Sequence, residues 1–129
     1  MIRYQVSRCN EIGFKLLLLI MLMLVTWQAL SPQPIEQTQA INDKLGHALV
    51  FFMLAGISDH AFAVSKFGSK KIIYLMLYGM AIECLQYFVP GREFSLLDML
   101  ADAAGLMIYG LIINYIILRE PTTESSIRK

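Results

Sequence analysis

Four apolar stretches, over residues 12–30, 44–67, 72–89 and 96–118, divide this chain of 129 residues, with short polar breaks between them. Each is close to the roughly 20 residues that a helix needs to cross a hydrocarbon core of about 30 Å at about 1.5 Å per residue. The breaks carry the chemistry of helix ends. Ser31-Pro32-Gln33-Pro34 stops the first stretch, because proline cannot continue a helix. Asn42 is placed to cap the second, and Lys66, Lys70 and Lys71 mark the turn into the third. Pro90-Gly91 closes the third, and Ser95 is placed to cap the fourth. The pattern predicts an all-α protein, a four-transmembrane-helix bundle forming one membrane domain over residues 1–129.

The first stretch also resembles a signal peptide, with Arg3, Arg8 and Lys15 as its basic flank. A cleavable signal needs small residues before the cut. Here the run ends Thr26-Trp27-Gln28-Ala29-Leu30, with Trp27 where a small side chain belongs, so an uncleaved anchor is expected. Lysine and arginine set the orientation. With four spans, Arg3, Arg8, Lys15, Lys66, Lys70, Lys71, Arg119, Arg128 and Lys129 fall on one side, against Lys44 and Arg92 on the other. This bias places both termini in the cytoplasm.

Composition agrees: the hydrophobic fraction of 57% and mean hydropathy of +0.56 are too high for an ordinary soluble domain. A net charge of +1 without a continuous basic stripe points away from nucleic acid. Cys9 and Cys84 have no metal or redox spacing, and their positions argue against a disulfide between them.

Charge at membrane depth is costly, so the ionisable residues inside these stretches are candidates for function. Asp43, Lys44 and His47 begin the second stretch, with a spacing that brings both charged residues toward the histidine's face. Glu83 and Gln86 share a face near the end of the third. Ser95, Asp98, Asp102 and Gly105 repeat at three- and four-residue intervals in the fourth, and the preceding turn adds Arg92 and Glu93. Four-span topology brings all of these to one leaflet, as a polar pocket facing away from the cytoplasm. Five acids (Asp43, Glu83, Glu93, Asp98 and Asp102) face two bases (Lys44 and Arg92). Crowded carboxylates in poor solvent cannot all stay ionised cheaply, so one holds a proton or a cation sits among them. His47 is suited to carry a proton near neutral pH. A divalent metal on Glu83, Asp98, Asp102 and His47 is chemically possible. No tight motif such as H-E-x-x-H is present, however, and no metal site is assigned; no cofactor is indicated.

Asp43-Lys44-x-x-His47, Glu83-x-x-Gln86, and Arg92 followed by Ser95-x-x-Asp98-x-x-x-Asp102-x-x-Gly105 together resemble the VanZ-like family of small bacterial membrane proteins, over residues 43–110. The family is named for a determinant of low-level resistance to teicoplanin, so the resemblance implies a role at the cell envelope without implying a reaction. This chain departs from the common pattern at Asp102, where many relatives carry asparagine, which adds negative charge to the pocket.

Each feature also has a plainer role. Asp43 suits the helix dipole and Lys44 can snorkel to the surface. Glu83 and Gln86 can bond between helices, Ser95 can act only as a cap, and Gly105 with Ala101 allows close helix approach. Arg92 can pair Asp98 or Glu93, or bind a phosphate or carboxylate. Asp59 and His60 fall at the opposite, interfacial end, and the aromatic residues read as packing and belt positions. Three functions therefore compete. The first is a ligand-binding pocket (Asp43, Lys44, His47, Glu83, Gln86, Arg92, Ser95, Asp98 and Asp102) for membrane lipids or a lipid-linked envelope precursor, which it helps to move. The second is an acid/base enzyme using Glu83, Asp98, Asp102 and His47. It would depend on activated water or a metal, since Ser95 has no base beside it in sequence and Cys84 lies in an apolar helix. The third is a structural or partner subunit whose polar residues lock the bundle. A bundle this small has little room for a path, so transport implies a homo-oligomer or a partner.

Overall fold

The computed structural model describes residues 8–32 and 40–119, with the backbone alone at residues 8, 9, 40 and 41. The described residues form four α-helices and no strand: α1 (Arg8–Leu30), α2 (Ala40–Ala61), α3 (Ser69–Gln86) and α4 (Leu96–Arg119). Arg3, Arg128 and Lys129, used above for orientation, lie outside the described residues, as do residues 33–39 of the first break and the Cys9 side chain. Helix α2 is central and packs against the other three, most extensively against α4 and α1, while α3 also meets α1 and α4. Phe51, Leu54 and Ala55 of α2, Leu75 of α3 and Leu106 of α4 form the buried apolar core.

The helices end for identifiable reasons. Helix α2 begins at Ala40, before the expected start, so Asn42 lies inside the helix and does not cap it. It ends at Ala61, six residues short of 67. Lys71 of α3 reaches into the turn and donates to the carbonyls of Asp59, Phe62 and Ser65, so the freed acceptors are satisfied without further helix. Helix α3 begins after Gly68, three residues before the expected 72, and ends at Gln86 rather than 89. A run of turns follows (Phe88 N–H to Leu85 O, Val89 N–H to Gln86 O, Arg92 N–H to Val89 O) because Pro90 disfavours helix at the residue before it. Gly91 has φ 78, which a side chain would resist. The fourth helix starts as expected, with the Asp98 N–H donating to Ser95 Oγ at 3.3 Å.

Helices α2 and α4 pack closely. A Cβ on Gly105 would collide with the Ala48 carbonyl of α2, so the absence of a side chain sets this approach. Two helices, at Asn10–Leu30 and Leu96–Arg119, are long and apolar enough to cross a membrane. The other two are less apolar, α2 carrying Asp43, Lys44 and Asp59 and α3 carrying Lys70, Lys71 and Glu83.

Candidate functional site

Polarity is inverted between interior and surface. Glu83 and Asp102 are 0% and 1% exposed, and Gln86, Asp98, Lys71 and Ser58 are also buried. Leu16, Met23, Trp27, Leu49, Met53, Leu77, Met107 and Leu111, by contrast, are exposed. The close α2–α4 crossing joins the D-K-x-x-H motif to the acids of α4. Lys44 Nζ donates to Asp98 Oδ1 at 2.8 Å, and His47 Nδ1 lies 2.9 Å from Asp102 Oδ1. His47 Nε2 stands 3.9 Å from Asp98 Oδ2. Asp43 is exposed at the rim, and one donor atom each from Asp43, His47 and Asp98 fall within 4.8 Å of one another. Lys44, with its side chain a third exposed, leads from this rim to the buried carboxylates.

Helix α3 closes the inner side. Glu83 Oε2 accepts the Ser95 backbone N–H at 3.0 Å, tying α3 to the start of α4. Glu83 Oε1 is buried with no hydrogen-bond partner. Gly79, one turn earlier, leaves room for Asp102, whose Oδ2 would lie 2.7 Å from a Cβ there. A neutral ring donating from Nδ1 to Asp102 keeps a lone pair on Nε2, whereas a protonated ring carries a proton on both nitrogens.

The structure therefore joins Asp43, Lys44, His47, Asp98 and Asp102 into one cluster, with Glu83 within electrostatic reach of Asp98, His47 and Asp102. It gives the remaining sequence candidates other partners. Gln86 Nε2 donates to Ala29 O at 3.2 Å and Arg92 Nη2 to Gln28 O at 3.0 Å, so both brace the end of α1. No ion pair joins Arg92 to Asp98 or Glu93 among the described residues, and its Nε is buried without a partner. Ser95 caps α4 through its hydroxyl and holds Glu83 through its backbone.

Two groups of polar contacts were not visible in the sequence pattern. Lys71 is buried rather than solvated in its turn, and bonds Asp59 Oδ1 at 2.7 Å, while Tyr109 donates to Asp59 Oδ2 at 3.1 Å. Asp59 is thus a structural partner in the fold, not a free interfacial charge. Tyr78, read as a packing position, donates to Leu22 O at 2.9 Å and meets Thr26 Oγ1 at the same distance. Lysine beside an apolar run ordinarily marks a helix flank and tyrosine ordinarily marks a belt, so neither type signalled these contacts.

These features define a class: a small all-α protein with an apolar exterior and a partly buried acid–histidine cluster between its second and fourth helices. A model of the VanZ/LLP1 family matches residues 8–119, and the chain belongs to that family. The match takes in α1 as well as the motifs of residues 43–110. No curated protein and no solved structure matches the chain.

Proposed function

We propose that this VanZ/LLP1 protein spans the bacterial cytoplasmic membrane four times, with both termini in the cytoplasm. Its outward-facing cluster binds an envelope lipid or lipid-linked head group and helps to move it. The observation that carries this reading is the inverted polarity: fully buried carboxylates inside helices whose outer faces are covered with large apolar side chains. In water such a surface would be an aggregation liability, whereas in lipid it is the favourable side and the interior acids become the exceptional feature. The bonds from Gln86, Arg92 and Tyr78 to α1 carbonyls support α1 as a retained anchor. The lysine and arginine bias supports the orientation.

An acceptor-rich site with one ammonium at its rim suits the hydroxyl or amino groups of a head group better than a bare phosphate. Purified protein in nanodiscs, titrated with fluorescent lipids bearing amino or sugar head groups, tests the reading. Binding that falls tenfold or more in Asp98→Asn and Glu83→Gln supports it. Full binding by both folded variants sinks it. The His47–Asp102 pair favours one second reading, acid/base catalysis by His47 Nε2 on an envelope substrate. That reading requires turnover in the same lipid panel and its loss in His47→Gln.

A further inference from the structure

We propose that Asp43, His47 and Asp98 form a binding site for one divalent transition-metal ion of the zinc type, oriented by Asp102. The proposal concerns the same cluster as the head-group reading, but it does not require a lipid ligand and is tested without one. Three features point to a cation.

The first is the imidazole. Its Nδ1 is engaged by Asp102 Oδ1 at 2.9 Å, which turns the other nitrogen toward Asp98 Oδ2 at 3.9 Å. That gap is too long for a hydrogen bond, which needs roughly 3.2 Å or less. With the ring neutral and Nδ1 donating to Asp102, a lone pair on Nε2 faces a carboxylate oxygen across that gap, an arrangement that a cation between them relieves. Donors each about 2.1 Å from one ion stand roughly 3 to 4 Å apart, and the set within 4.8 Å needs only a small contraction to meet this. A carboxylate behind the distal nitrogen of a metal-binding histidine is the usual supporting arrangement.

The second is charge. Around a neutral His47, ionised Asp43, Asp98 and Asp102 stand against Lys44, and a dication would neutralise the remaining two negative charges. Lys44 takes Asp98 Oδ1 and leaves Oδ2 for the ion. The third is Glu83, 0% exposed, whose Oε1 is the one buried carboxylate oxygen without a partner among the described residues. It lies within electrostatic range of Asp98 and His47, so a further buried acid stands near the same cluster. One nitrogen and two carboxylate donors suit zinc better than the harder calcium or magnesium. Three protein donors also leave a coordination position open toward the rim.

The test is calorimetric titration of zinc chloride into the tag-free, chelator-stripped full chain in detergent, without added lipid. The expected result is saturable binding of one ion per chain. Affinity should fall at least tenfold in His47→Gln and in Asp43→Asn, and about tenfold in Asp102→Asn through loss of the supporting charge. The Asp43 side chain is exposed and makes no hydrogen bond among the described residues, so its variant is expected to keep the fold and report on the metal. Absence of saturable binding by the parent chain overturns the proposal. So does unchanged affinity in Asp43→Asn and His47→Gln, which would place any zinc elsewhere, for example at His60.

Discussion

Glu83 is both a structural contact between helices and a candidate member of the proposed site. Its Oε2 accepts the Ser95 N–H, whereas Oε1 finds no partner. An amide keeps the acceptor and removes a charge from an acid-rich interior, so Glu83→Gln should melt higher, by up to about 1 kcal/mol. Glu83→Ala removes the acceptor and opens a cavity, and should cost about 2 to 4 kcal/mol. Thermal melts of the two variants in one detergent decide this. Both melting lower would mean that the charge itself holds the helices together, and the locking role would then account for the residue. Lys71 is a contrasting case. Its ammonium is bonded to Asp59 Oδ1 and to carbonyls at the end of α2. Lys71→Met leaves the partly buried Asp59 carboxylate with Tyr109 as its one side-chain donor among the described residues and should cost about 3 kcal/mol. Adding Asp59→Asn should recover part of that loss; no recovery in the double variant would show that the carbonyl contacts matter and the ion pair does not.

At the scale of elements, the α2–α4 crossing assembles the site, because it brings Lys44 and His47 onto Asp98 and Asp102. Gly105 permits that approach and Gly79 leaves space for Asp102. Gly105→Ala should therefore destabilise by about 1 to 3 kcal/mol and lower zinc or head-group affinity together. A variant with parent-like melting would mean that α4 can shift without loss. The sequence was a good guide here wherever a local device decides the outcome. Ser95 begins α4 as its residue type predicts, and Gly105 packs as the small-residue spacing predicts. It was a poorer guide to the ends of α2 and α3. The cap expected at Asn42 lies inside a helix, and the stop of α2 depends on a lysine ten residues beyond its last helical residue. A helix end satisfied by a tertiary partner has no local signature.

The whole molecule carries the topology. In the proposed four-span arrangement the turn at Arg92 and the rim at Asp43 would face outward, while the turn at Lys66 would face the cytoplasm. Single cysteines introduced at Arg92 and Lys66 in a Cys9→Ser, Cys84→Ser background test this in intact cells. A membrane-impermeant maleimide should label the first and spare the second; the reverse pattern would invert the site. A tag on the N-terminus should stay with the membrane-bound chain, since α1 is bonded into the fold by Tyr78, Gln86 and Arg92. Its release would mean that the first helix is a cleaved signal.

The amino-acid sequence by itself determined the all-α character, the family and most members of the polar cluster. Helix length, apolar content and motif spacing are properties of consecutive residues. It also determined that Asp43, Lys44 and His47 share one stretch with little room between them. Only the tertiary structure decided which partners they take. Asp102 faces the imidazole and Asp98 the lysine, Gln86 and Arg92 turn to α1, and Glu83 keeps one oxygen free. Those choices depend on how closely and at what rotation the helices pack. A nearly uniform apolar surface does not encode that rotation, because lipid favours every apolar face alike.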